Sequence, residues 1–145
     1  MEIKFKKVLD NAVLPYRATP FSAGYDLTAA SVYYDDKCDC WVYDLGIVSE
    51  FSPEYVALIF PRSSNRKKEF YMPNSVGVID CDFRGSWKVC LKSRDFTNLR
   101  KPPYVVGDRI AQMIIQKLED VHIQEVETLS DTDRGEGGFG STGAQ

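Results

Sequence analysis

Gly77-Val78-Ile79-Asp80-Cys81-Asp82-Phe83-Arg84-Gly85 is the stretch on which the fold turns. Two glycines bracket a short apolar entry, two carboxylates, an aromatic ring and an arginine. The next residues, Ser86-Trp87-Lys88-Val89-Cys90-Leu91, alternate in part, as a strand does. The reading is strand, tight turn, strand: a hairpin. Carboxylates at such a bend can be held at fixed positions, as water activation or metal chemistry requires. On an ideal strand Asp80 and Asp82 share one face and Phe83 points the other way, so a site using both Asp80 and Phe83 needs the turn to break that alternation. On these nine residues alone, an acidic hairpin tip with solvated aspartates is the simplest description.

Outward from this stretch, short strand-like runs dominate. Residues 2–9 mix Ile3, Phe5, Val8 and Leu9 with lysines and predict a first strand. Leu14-Pro15 and Thr19-Pro20 break regularity. Gly24 in Phe21-Ser22-Ala23-Gly24-Tyr25-Asp26-Leu27 permits a bend or a close backbone approach. Asp26 sits among small and apolar residues, where a carboxylate is paired or hydrogen-bonded, most simply to a neighbouring backbone or an arginine. Residues 31–48 are rich in strand formers around a polar Asp35-Asp36-Lys37 turn, and Tyr55–Phe60 reads as another strand ended by Pro61. Pro61-Arg62-Ser63-Ser64-Asn65-Arg66-Lys67-Lys68 offers hydroxyls, an amide and cations that could hold phosphate oxygens; it also suits a basic loop or a serine-capped helix start. Met72-Pro73-Asn74-Ser75 turns the chain into the hairpin. Strands are further expected at Tyr104–Val106, at Arg109–Gln116 and around Val121–Gln124, the last placing His122 on a polar face. Many short strands, turn signals, no long amphipathic helix and no internal repeat imply an all-β sandwich or barrel.

Composition narrows the class. A chain of 145 residues suits one domain and can bury roughly 68–70% of its unfolded surface. A formal net charge of −3 argues against nonspecific nucleic-acid or membrane binding, so local groups must hold any phosphate ligand. The charged N-terminus is no signal peptide, and no apolar run approaches the ~20 residues that span a bilayer. Cys38, Cys40, Cys81 and Cys90 are then reduced thiols of a cytoplasmic protein. Cys38 and Cys40 form only CxC, and His122 is the single histidine, so a structural metal is not expected. From Ser130 the chain becomes polar and glycine-rich, with Phe139 its one large apolar residue, and cannot order itself alone. The division expected is a β-barrel over residues 1–129 and a flexible arm over 130–145. The arm lacks a P-loop lysine, yet glycine-rich backbone can still wrap phosphate through its N–H groups.

Ala23-Gly24-Tyr25-Asp26-Leu27, Pro61-Arg62-Ser63-Ser64, Gly77 to Gly85, Arg109-Ile110-Ala111-Gln112 and Arg134-Gly135-Glu136-Gly137-Gly138-Phe139-Gly140-Ser141-Thr142-Gly143 stand in this order. Together they resemble the five motifs of the trimeric dUTPase family (dUTP nucleotidohydrolases), from residue 23 to 143. The resemblance implies a distorted jelly-roll β-barrel and a homotrimer with active sites at subunit boundaries. It implies hydrolysis of dUTP to dUMP and pyrophosphate, which limits uracil in DNA and supplies dUMP for dTMP synthesis. Mg2+ would ride on the triphosphate, held mainly by phosphates and water rather than by protein ligands. Asp80 would orient and deprotonate the water that strikes the α-phosphorus; an ordinary aspartate, of pKa about 3.9, is ionised at neutral pH and can take a proton. Asp26 would be a supporting carboxylate near metal and phosphates. Asn74 and backbone near Gly77 and Val78 would read uracil. Arg62, Ser63, Ser64, Gln112, Arg134, Ser141 and Thr142 would contact phosphates. Phe139 would cover the uracil ring as part of a lid, often over a neighbouring subunit's site.

One departure stands out. The family commonly has tyrosine where this chain has Phe83, whose ring would pack under deoxyribose and leave no room for a 2′-hydroxyl. Phe83 keeps the face and loses the hydroxyl. Residues 31–44, with Cys38-Asp39-Cys40-Trp41, match no motif. The competing readings are a dCTP deaminase of the same fold, which needs a general base near the pyrimidine C4, and a non-catalytic jelly-roll that only binds nucleotides.

Overall fold

The structure, a computed structural model, describes residues 1–94 and 101–138. Its strands are β1 (Ile3–Lys7), β2 (Tyr25–Thr28), β3 (Ser31–Asp35), β4 (Cys40–Asp44), β5 (Ile47–Phe51), β6 (Tyr55–Pro61), β7 (Phe70–Tyr71), β8 (Gly77–Ile79), β9 (Lys88–Ser93) and β10 (Arg109–Lys117). A short 3-10 helix, Ser63–Lys67, follows β6. The strands form two four-stranded antiparallel sheets, β2-β10-β6-β8 and β3-β4-β9-β7, and a two-stranded β1-β5 ribbon. The chain is all-β, as the strand and turn signals predict.

Alternation along the strands builds the core. Val89 and Leu91 point inward from β9, and Ile59 and Met113 from β6 and β10, all almost wholly buried. Trp87 packs against the β1-β5 ribbon with no exposed surface. Its indole Nε1 donates to Ser49 Oγ at 3.1 Å, and Phe5 meets its ring edge-on with centroids 5.4 Å apart. Tyr43 is equally buried; its hydroxyl donates to Tyr104 O and accepts from Tyr104 N, both at 3.1 Å. Burial pushes that hydroxyl up to about 12, so it keeps its proton and its donor role.

Three expectations are corrected. Residues 77–91 do not form a hairpin. β8 pairs with β6 in one sheet, while β9 pairs with β4 and β7 in the other. The Asp80–Gly85 stretch therefore crosses between sheets. Tyr104–Val106 is not a strand: Val105 N donates to Asp108 Oδ2 at 2.9 Å and Asp108 N to Val105 O at 3.1 Å, closing a turn. Val121–Gln124 is not a strand either. After Leu118 N bonds Glu54 O at 2.7 Å, the chain leaves the body, and Val121 and Ile123 stand 70% and 89% exposed. Alternation needs a sheet edge to pair with, and this chain offers that segment none among the described residues.

Candidate active site

The second, first and fourth motif stretches converge on a cleft of about 350 Å3 lined by Gly24, Asp26, Arg62, Ser63 and Gln112. The sheet order explains it. β10 lies between β2 and β6, with Gln112 opposite both Asp26 and Phe60, two residues before Arg62. Asp26 is only 8% exposed and receives two guanidiniums. Arg62 Nε lies 2.7 Å from Oδ1, and Arg109 Nη1 2.9 Å from Oδ2. Its hydrogen bond and its charge raise the pKa of Arg109 further. One carboxylate and two guanidiniums leave the trio a net positive charge, oriented and not self-neutralised. A cleft of this kind favours an anion.

Gln112 Nε2 donates to Pro61 O at 3.0 Å. Its side chain lies directly over Gly24, where any Cβ would collide with the amide oxygen. Gly24 thus provides the close approach expected of it. Ser63 lines the cleft, while Ser64 Oγ accepts from Arg62 Nη1 at 3.5 Å. No serine caps the 3-10 helix: Arg62 occupies the cap position and makes no side-chain cap bond.

The third-motif residues sit elsewhere. Gly77 is buried, and a Cβ there would lie 3.1 Å from Ile59 Cβ and 3.6 Å from Asn74 Nδ2, so Asn74 folds back beside the Gly77 backbone. Val78 is largely exposed. β8 ends at Ile79, and Phe83 N bonds Asp80 O at 3.2 Å. The turn thus breaks the alternation that would have sent Asp80 and Phe83 to opposite faces. Asp80 is exposed to solvent. The Phe83 ring, 42% exposed, lies over Gly85, where a Cβ would come within 2.5 Å of Cζ. Arg84 straps the turn down. Its Nη1 donates to Cys81 O at 2.8 Å, Ser49 O at 3.2 Å and Phe83 O at 3.4 Å.

Sequence reasoning gave no separate role to Arg109 or Arg84, although both stand inside quoted motifs. A Glu or Asp partner far along the chain is invisible until strand register is known: Asp26 and Arg109 are 83 residues apart. Arg134 is on the arm, where its Nε donates to Gly137 O at 2.9 Å. Phe139, Ser141 and Thr142 lie outside the described residues.

The structure therefore gathers Asp26, Arg62, Ser63 and Gln112, and holds Asp80 and Phe83 apart from them, while Gly77 pairs with Ile59, three residues before Arg62. β8 is three places from β2 in its sheet. Asp26 lies level with Phe60, whereas Ile79 lies level with Ala57. With strands ~4.8 Å apart and ~3.4 Å per residue, Asp80 and Asp26 are separated by roughly 20 Å within one chain.

A family-wide sequence profile described as dUTPase matches residues 10–143. A deoxyuridine 5'-triphosphate nucleotidohydrolase of Oryza sativa subsp. japonica is 44% identical over 97% of this chain and 80% of its own length. One from Rickettsia bellii is 43% identical over 98% of this chain and 95% of its own. In structure, a dUTPase mutant of Staphylococcus bacteriophage 80alpha, solved with dUpNHpp, matches with a TM-score of 0.81 over 99% of each chain. At 23% identity that likeness concerns the fold, the dUTPase jelly-roll. Profile, relatives and fold agree, and the chain belongs to the dUTPase family.

Proposed function

We propose that the chain hydrolyses dUTP to dUMP and pyrophosphate, and so keeps uracil out of DNA and feeds dTMP synthesis. The observation that carries this reading is the pairing of two half-sites: a cationic cleft suited to a triphosphate, and an exposed aspartate held on a strapped turn beside an aromatic ring and a buried glycine. Asp80 takes a proton from water, whose oxygen bonds the α-phosphorus. The bond from that phosphorus to the bridging oxygen breaks, and pyrophosphate leaves into the cleft of Arg62, Ser63 and Gln112. Asp26 acts by aiming Arg62 and Arg109. Asn74 and the Gly77–Val78 backbone read uracil, a base too closely fitted to admit the thymine methyl. Ser64 and the arm's Arg134, Ser141 and Thr142 add phosphate contacts, with Phe139 as lid over the base.

Both oxygens of Asp26 are engaged by arginines, and no cluster of three His, Cys, Asp or Glu among the described residues could hold a metal. That donor set suits Mg2+ carried by the substrate's phosphates and water, where it supplies charge neutralisation on the triphosphate. A pyrophosphate-release assay across nucleoside triphosphates tests the whole reading. Release from dUTP above all others is expected, and release from none would overturn it. The deaminase and the non-catalytic alternatives have no observation in their favour.

The same geometry supports the homotrimer. Half-sites roughly 20 Å apart in one chain need a second copy to meet, and cyclic assembly brings opposite ends together. The apolar residues Val121, Ile123 and Leu129, all strongly exposed, need cover that the described body does not provide. No described helix is long and apolar enough to cross a membrane. With four free thiols, we place the enzyme in the cytoplasm.

Two substitutions probe the halves separately. Phe83→Ala removes the ring under the sugar, so UTP hydrolysis should rise relative to dUTP, whereas Phe83→Tyr should keep the selectivity. A dUTP/UTP ratio unchanged in the Ala variant would assign discrimination to other contacts. Gly24→Ala forces the Gln112 side chain out of its place over the glycine. Displacement of a positioning group by about 1 Å can cost up to ~10²-fold, so kcat/KM for dUTP should fall by ten-fold or more while thermal stability changes little. Wild-type kinetics in this variant would remove Gln112 from the phosphate cleft.

A further inference from the structure

On the other side of the 3-10 helix, between it, β7 and the Met72–Ser75 turn, lies a cavity of about 600 Å3. Arg62, Arg66, Lys68 and Arg94 line it, and among the described residues no carboxylate does, in a chain whose formal net charge is −3. Arg62 has Asp26 as its counter-ion. Arg66 and Arg94 have none among the described residues. Lys68 Nζ is tied to Pro103 O at 2.9 Å and lies 4.8 Å from the Tyr104 ring centroid. The Arg94 guanidinium stands 5.9 Å from the Tyr71 ring centroid.

The walls are fixed. Asn65 Nδ2 donates to Phe70 O and Asn65 Oδ1 accepts from the Tyr104 hydroxyl, both at 3.2 Å. Arg94 N bonds Glu69 O at 2.8 Å. Like charges set around one space repel, and guanidiniums without counter-ions keep their paired donors unused. A phosphate group relieves both, and its oxygens match the guanidinium fork. A volume of about 600 Å3 is in the range of small-ligand sites and suits a compact anion. Arg62 and Ser63 are shared with the 350 Å3 cleft, so the two spaces adjoin.

We propose that this cavity is a second anion site, distinct from the substrate cleft, that binds inorganic pyrophosphate, the product the hydrolase reading places next door. The ligand's identity rests on that reading; the anion site rests on Arg66, Lys68 and Arg94, the three cations that the substrate cleft does not share.

The test is calorimetric titration of inorganic pyrophosphate into the full-length protein already saturated with the non-hydrolysable analogue dUpNHpp. The wild type should still bind pyrophosphate, about one per chain, with affinity falling steeply as salt rises. Arg66→Gln/Arg94→Gln should lose at least ten-fold of that affinity while KM for dUTP stays within about two-fold. Both side chains are exposed, so the core is untouched by the substitution. No binding to the saturated wild type, or equal binding by the double variant, overturns the site. A single-stranded oligonucleotide bound at least ten-fold tighter than pyrophosphate, through the same arginines, overturns the diphosphate assignment in favour of a nucleic-acid groove. Failure of the hydrolase reading shows separately, as no pyrophosphate released from dUTP; titration without the analogue, wild type against double variant, then decides the cavity.

Discussion

Asp80→Asn is expected to lower dUTP turnover by about 10²–10⁴-fold, the usual cost of losing a general base, with dUTP binding retained. The substitution keeps the shape of the side chain and removes its capacity to take a proton. The turn should survive it. Arg84 holds that turn through the carbonyls of Ser49, Cys81 and Phe83, and Asp80 contributes to it through its backbone carbonyl, which accepts from Phe83 N. The carboxylate itself is exposed and makes no hydrogen bond or ion pair among the described residues that the amide would undo. A fall in kcat with unchanged affinity for dUpNHpp would place the loss in the chemical step. Near-normal turnover would remove Asp80 from the mechanism, and lost affinity would make it a binding group.

The contrast with Asp26 shows what a sequence can and cannot convey. Both are aspartates in motif-like stretches, and local sequence treats them alike. Asp26 falls on a strand next to β10, whose register delivers Arg109, and beside the end of β6, which delivers Arg62. Such pairing is set by strand order, which local patterns do not encode. Alternation predicted the strands themselves well, because inward positions such as Val89 and Leu91 must be apolar wherever the strand lies. It failed at residues 77–91 for the same reason. Two strands joined by a tight connection look like a hairpin whether they pair with each other or with different neighbours, and only the buried Trp87 between them marks the crossing. It failed again at Val121–Gln124, where the pattern of a strand is present and the partner edge is not. Gly24 was legible as a close approach, but that Gln112 is the side chain that comes close depends on packing.

The separation of the half-sites leads to the second large expected effect, recovery of activity from two inactive proteins. Gln112→Glu is nearly isosteric but puts a carboxylate where the triphosphate should lie. Two unit charges about 4 Å apart at an effective dielectric of 20 repel by about 4 kcal/mol, enough to lower activity by roughly 10²–10³-fold. Asp80→Asn is inactive for the reason already argued. Each variant alone should therefore be silent. If Asp80 of one chain faces the Gln112 cleft of the next, a site formed by Asp80 from a Gln112→Glu chain and Gln112 from an Asp80→Asn chain has every part intact. With random mixing at equal amounts, about a quarter of the sites in a cyclic trimer are of that kind. Refolding or co-expressing the two variants together should restore roughly a quarter of wild-type turnover, against about 1% or less for either alone. If instead each chain completed its own site, every site in the mixture would carry one defect and activity would stay at the parental level. The strand register argues against that outcome, since Asp26, level with Gln112, and Asp80 lie toward opposite ends of the β2-β10-β6-β8 sheet. A mixture that remains inactive, with mixed trimers confirmed by mass, would require the chain to fold its two half-sites together in solution and would overturn the shared-site assembly.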